Sequence, residues 1–141
     1  MREHLNGVIK QREEFRPFAP AVTREAASRY FDIAAGDEDM FANMLIVAET
    51  RPPYRTVLPA VTHVDGTARV QVVGRGGNER FWRLLRAFER ITELPVLLNT
   101  SFNLRGQPIV CTPAEALETF LRSSIDRLVM GDRLISRRSQ H

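Results

Sequence analysis

The 141-residue chain contains one cysteine, one tryptophan and one lysine. A lone Cys111 excludes an internal disulfide and any paired-cysteine zinc knuckle, and such a chain is compatible with a reducing cytoplasm. No set of His and Asp residues has metal-ligand spacing, so the chain itself is expected to bind no metal. No window approaches the run of about 18 apolar residues that a membrane helix requires, and the N-terminus lacks the apolar stretch of a signal peptide. A cytoplasmic location without a membrane partner is the expectation. Internal repeats and low-complexity tracts are absent too, which excludes solenoid and fibrous architectures.

What is present is the composition of an ordinary globular protein, with 43% hydrophobic and 26% charged residues, eight Gly and eight Pro. We read residues 1–141 as one domain, since a chain of this size buries roughly two thirds of its unfolded surface. The net charge is +3, but the arginines are scattered over predicted helices and loops. Nucleic-acid binding needs a clustered basic footprint, so no such partner is expected. Lys10 is the only lysine, all other cationic side chains being arginine. Its compact ammonium suits a phosphate as a point charge.

Leu5, Val8 and Ile9 at helical spacing predict a helix over 3–11, which delivers Lys10 and Arg12 at its C-terminal end. The prolines of 16–20 then impose extended chain. A short helix over 24–31 starts after Thr23, 36–39 is a loop, and the apolar run 43–49 is a buried strand candidate. Residues 57–64 and 67–73, joined by Asp65-Gly66, carry the strongest hairpin signal, because Asp-Gly suits the positive φ of a tight primed turn. In its second strand Ala68, Val70 and Val72 share one face; Thr67, Arg69 and Gln71 share the other. Residues 74–77 form a loop. The stretch 78–92 is an amphipathic helix with Phe81, Leu84, Leu85, Phe88 and Ile91 on its apolar stripe. A short strand over 95–98 follows. Thr112, Pro113 and Glu115 supply an N-cap, a first-turn proline and a capping-box acid for a helix reaching about Ser123. Two short strands, 128–130 and 134–136, flank Gly131-Asp132. This order predicts an α+β domain on a mixed sheet.

The strand over 95–98 breaks at once into Asn99-Thr100-Ser101-Phe102-Asn103, placing amides and hydroxyls at a sheet edge, where ligands often bind. Such a loop is equally a turn held by its own side chains. Lys10-x-Arg12 is either a pair favoured by a helix C-terminus or a phosphate clamp. Together the two motifs supply the cations and neutral donors that a triphosphate requires. His63 is either a hydrogen-bonded turn residue or a ligand, and Arg69 would face it across the hairpin. Asp65 belongs to the turn, and Cys111 to packing.

Lys10-x-Arg12 with Ser101-x-Asn103 resembles the phosphate-binding tetrad of YrdC-like domains. The likeness extends over the stretches 5–13, 15–20, 60–71, 97–103 and 108–113, which are similar to the C-terminal domain of the NodU/CmcH carbamoyltransferases. The resemblance implies a YrdC-like fold, a twisted mixed sheet flanked by helices, incomplete at its N-terminus. It implies a site that uses ATP, with Mg, and carbamoyl phosphate to make a carbamoyl-adenylate, whose carbamoyl group passes to an acceptor hydroxyl in a separate N-terminal transfer domain. Lys10 and Arg12 would be catalytic and hold the triphosphate, with Ser101 and Asn103 donating to phosphates. Arg16 either assists them or is structural. Thr62, His63, Arg69 and Asn99 are the candidates for binding the carbamoyl donor. Family members carry an upstream segment that completes the nucleotide site, so a non-catalytic binding module for RNA or protein, or the remnant of a shortened gene, stands beside the catalytic reading.

Overall fold

The computed structural model describes residues 18–137. The helix expected over 3–11, and with it Lys10, Arg12 and Arg16, lies outside the described residues. The described residues form two compact units, 18–100 and 101–137.

The first unit runs β1 (Ala19–Thr23), α1 (Arg24–Tyr30), β2 (Ala48–Glu49), β3 (Thr67–Ala68), β4 (Gln71–Val73), α2 (Glu79–Thr92) and β5 (Val96–Asn99). β1 is the middle of a three-stranded mixed sheet, parallel to β4 and antiparallel to β5. All five of its residues are buried, which is why the strand runs small and apolar from Ala19 to Val22 rather than alternating. Ala21 pairs with Gln71 on one side and Leu97 on the other. It forms a core with Val73 and Leu85, the fully buried residue of α2, and Phe81, Trp82 and Leu97 pack against them. Tyr30 and Phe31, at the end of α1, are also buried, and Tyr30 meets Tyr54 edge to face at 4.7 Å between ring centroids. Burying a side chain of this size contributes about 1.5–3 kcal/mol. Thr23 sits at the N-cap of α1 as expected, yet its hydroxyl makes no capping bond and has no partner among the described residues.

Three sequence expectations change. The run 43–49 is a strand only at Ala48–Glu49; Met44 adopts φ 56, which breaks the extended chain, and Leu45 is 83% exposed. Residues 57–64 are turns rather than the first hairpin strand. Pro59 lacks a ladder donor, and the Leu58 carbonyl instead accepts from the amides of Val61 and Thr62. β3 therefore pairs with β2, and β4 with β1, so the expected second strand is divided between two sheets. On α2, Leu84 and Ile91 are exposed, because the buried face centres on Leu85 and takes in Trp82.

The second unit contains α3 (Pro113–Arg122), β6 (Arg127–Met130) and β7 (Arg133–Ser136). The capping box is complete: the Glu115 amide donates to Thr112 Oγ1 at 3.2 Å, and the Glu115 carboxylate accepts from the Thr112 amide at 3.2 Å. The two short strands expected around Gly131-Asp132 are present as β6 and β7, which pair antiparallel, and Leu128 packs on Ala116 and Phe120 of α3. Arg137 closes the far end of α3, donating through Nη2 to the Phe120 carbonyl at 2.6 Å and stacking over the Phe120 ring. Cys111 is exposed rather than packed, its amide held by Glu115 at 2.8 Å. Among the described residues, three α-helices and a mixed sheet make an α+β fold. No helix among the described residues is long and apolar enough to cross a membrane.

Candidate functional site

Of the residues singled out in sequence, Ser101 and Asn103 lie in the second unit, and Thr62, His63, Arg69 and Asn99 in the first. Ser101 donates its hydroxyl proton to Asn103 Oδ1 at 2.6 Å, and Asn103 Nδ2 donates to the Gln107 carbonyl at 2.8 Å. Gln107 Oε1 in turn accepts from the Leu104 amide at 3.3 Å, and the Gln107 amide donates to the Leu104 carbonyl at 3.1 Å. The loop after β5 is thus braced by its own amides, the behaviour expected of an Asx-type turn. Bracing also presents Ser101 and Asn103 from a fixed backbone.

Asn99, the last residue of β5, donates through Nδ2 to Gln71 Oε1 at 2.6 Å. The two belong to the outer strands of the sheet, with β1 between them. Ala19 pairs with Asn99 and Ala21 with Gln71, and paired residues share a face. Only methyl groups therefore stand on the middle strand between the two amides, which lets them meet. Gln71 also lines a cavity of about 260 Å³ at the C-terminal end of β4, with Arg24, Asn43, Gly74 and Asn78. Arg24 there is paired with Asp39 and, at 3.8 Å, with Glu38, so the cavity wall is charge-compensated. Sequence inspection passed over Gln71 as a site residue; its place on the polar face of 67–71 was the available signal.

Thr62 is absorbed by structure, its hydroxyl donating to the Leu58 carbonyl at 2.9 Å with Thr50 Oγ1 at 3.2 Å. The primed turn expected at Asp65-Gly66 does not form: the Gly66 amide donates to the His63 carbonyl at 3.0 Å, so Val64 and Asp65 are the central residues, Gly66 follows at φ +86, and the His63 amide donates to the Thr67 carbonyl at 2.7 Å. Asp65 Oδ1 accepts from the Thr67 amide at 2.9 Å and the Thr67 hydroxyl at 2.8 Å. These bonds, the amide's first, hold its carboxyl below the ordinary carboxylate range. His63 Nδ1 is 3.1 Å from the same hydroxyl. Arg69 is exposed between β3 and β4, and the cross-strand pairing that would have set it opposite His63 does not exist. No group of three or more His, Cys, Asp or Glu suited to a metal ion occurs among the described residues.

The carbamoyltransferase C-terminus family matches residues 1–137 of this chain. The chain is 44% identical over 138 residues to nodulation protein NolNO of Sinorhizobium fredii, covering 98% of the chain and 20% of that protein. To nodulation protein NolO of Bradyrhizobium diazoefficiens it is 43% identical over 138 residues, 97% of the chain and 25% of the relative. Nodulation protein U of Rhizobium tropici is 39% identical over 118 residues, 84% of the chain and 20% of the relative. The chain spans a quarter or less of the length of these relatives.

Proposed function

Because the chain belongs to the carbamoyltransferase C-terminus family, we propose that it supplies the part of an O-carbamoyltransferase that binds ATP and carbamoyl phosphate and forms a carbamoyl-adenylate. In that step water first cleaves carbamoyl phosphate, releasing inorganic phosphate and leaving a carbamate; a carbamate oxygen then bonds to the α-phosphorus of ATP and the bond to pyrophosphate breaks. The carbamoyl group then passes to an acceptor hydroxyl in a separate domain, for which the relatives, four or more times longer, have room. The observation that carries the reading is the family match over 1–137, which takes in both Lys10-x-Arg12 and Ser101-x-Asn103.

Lys10 and Arg12 offset the triphosphate charge, and Arg16 adds a further cation. Magnesium accompanying ATP would supply additional charge neutralisation at the phosphates. Ser101 and Asn103 act as neutral donors from the braced loop. In the geometry seen here the Ser101 proton goes to Asn103, so donation to a phosphate requires the hydroxyl to rotate about its C–O bond. Thr62, His63, Arg69 and Asn99 serve the carbamoyl donor, with Thr62 acting through its hold on the Leu58 carbonyl and Asn99 through its pair with Gln71.

Calorimetric titration with ATP and carbamoyl phosphate, followed by carbamate-dependent pyrophosphate exchange, tests the proposal. Lys10→Ala is expected to lower ATP affinity by about 10- to 100-fold, the loss of one charge-assisted contact. Ser101→Ala is expected to lower it by about fivefold, one neutral hydrogen bond. Unchanged ATP affinity in both variants, or salt-dependent RNA binding without nucleotide affinity, would overturn the proposal.

A further inference from the structure

The turn 63–67 contains a chain of hydrogen bonds that dictates where one proton sits. Thr67 Oγ1 lies 2.8 Å from Asp65 Oδ1 and 3.1 Å from His63 Nδ1, so one hydroxyl proton has two claimants. An ionised carboxylate can only accept. If the proton went to His63, two lone-pair-bearing oxygens would face each other at 2.8 Å with nothing between them. The Asp65 carboxylate is also held in its ionised form by the Thr67 amide. The hydroxyl proton therefore goes to Asp65. Thr67 Oγ1 is left able only to accept from His63, and Nδ1 must carry the hydrogen. In the neutral ring Nε2 then keeps its lone pair, and it has no hydrogen bond among the described residues. The backbone bonds of the turn, at 2.7 and 3.0 Å, fix the histidine main chain as well. A neutral histidine in water favours the opposite tautomer, so the turn inverts the default, as a hydrogen bond to one ring nitrogen can.

We infer that Asp65 and Thr67 are positioning residues that hold His63 as its Nδ1–H tautomer, and that Nε2 accepts a hydrogen bond from the NH2 group of the carbamoyl donor. The tautomer follows from the turn alone; the ligand rests on the function proposed above. An imidazole nitrogen that can only accept selects the one part of carbamoyl phosphate rich in N–H donors and discriminates against its oxygen-bearing end. Asp65 thus has a second task beyond shaping the turn.

The experiment is long-range 15N–1H correlation on histidine-labelled chain, with the His63 signals assigned by their loss in His63→Asn. Expected for neutral His63 are a pyrrole-type Nδ1 and a pyridine-type Nε2, with the pattern shifting toward Nε2–H in Thr67→Val and restored in Thr67→Ser. A wild-type spectrum showing Nε2–H would overturn the tautomer assignment whatever the variants do. Carbamoyl phosphate should move the Nε2 resonance, and Thr67→Val should weaken its binding about five- to tenfold while leaving ATP affinity unchanged. Calorimetric binding of carbamoyl phosphate that leaves Nε2 unmoved would overturn the ligand assignment alone. Absence of any carbamoyl phosphate binding would overturn it together with the functional reading, with the tautomer still decided by the ligand-free spectrum.

Discussion

Substituting Gly66 by alanine tests whether the 63–67 turn is held as described. Gly66 has φ +86, a left-handed conformation that costs an L-residue about 1–2 kcal/mol. Part of that is returned, about 0.4–1 kcal/mol, because alanine also restricts the unfolded chain. The new methyl would stand 2.7 Å from the Arg55 guanidinium carbon and 2.8 Å from its Nη2. That group is the far end of a flexible side chain, so it can move; the cost is what it loses by moving. Arg55 Nε donates to the Thr50 carbonyl at 2.9 Å, a bond whose loss costs about 1 kcal/mol or somewhat more. Its ion pair with Glu49, at 3.6 Å and with the carboxylate side chain 70% exposed, adds little. The sum is about 2 kcal/mol, read as a lower urea midpoint at unchanged slope. In an Arg55→Ala background the same substitution should cost only about 1 kcal/mol, since the backbone part alone remains. Equal costs in the two backgrounds would refute the argument that the guanidinium lies over the turn.

Thr112→Ala removes the acceptor of the α3 capping box and should destabilise the protein by about 1 kcal/mol, measured by urea unfolding, with Thr112→Ser nearly neutral. Asp65 has a folded pKa below its ordinary value of 3.8, so it contributes stability that is present above the ordinary value and is lost as pH falls through the lower, folded one. Asp65→Asn should therefore flatten the acid limb of the stability profile below about pH 4, and an unchanged limb would show that Thr67 does not hold the carboxylate. Asn99→Ala should lower carbamoyl phosphate affinity by calorimetry and leave the fold intact by circular dichroism, because the Gln71 amide it abandons is only half-buried and can turn to water.

Local signals were readable wherever one short stretch of chain satisfies itself. The Thr112-Pro113-x-Glu115 cap, helix α2 and the short strands either side of Gly131-Asp132 all depend on bonds between residues a few positions apart. Misreadings arose where a strand needs a distant partner. Residues 57–64 carry strand-like side chains, but Pro59 and the Leu58 carbonyl favour a turn, and β3 finds its partner in β2 instead. The apolar run at 43–49 failed similarly, since Met44 at positive φ leaves Leu45 in solvent. Periodicity identified α2 but not its rotation: Ile91 fits the apolar stripe and is nonetheless 83% exposed, while Trp82 packs inward.

The amino-acid order by itself was enough to specify the family resemblance, the α+β class and the polar loop after β5, because motif identity and short-range capping are written in neighbouring residues. Which strands pair, and which side chains meet as a result, was decided only in three dimensions. The Asn99–Gln71 pair exists because β1, with alanines on that face, falls between β4 and β5. The proton on His63 Nδ1 is decided by how the turn closes, since it depends on a distance of 2.8 Å between Thr67 and Asp65 that no spacing in the sequence expresses.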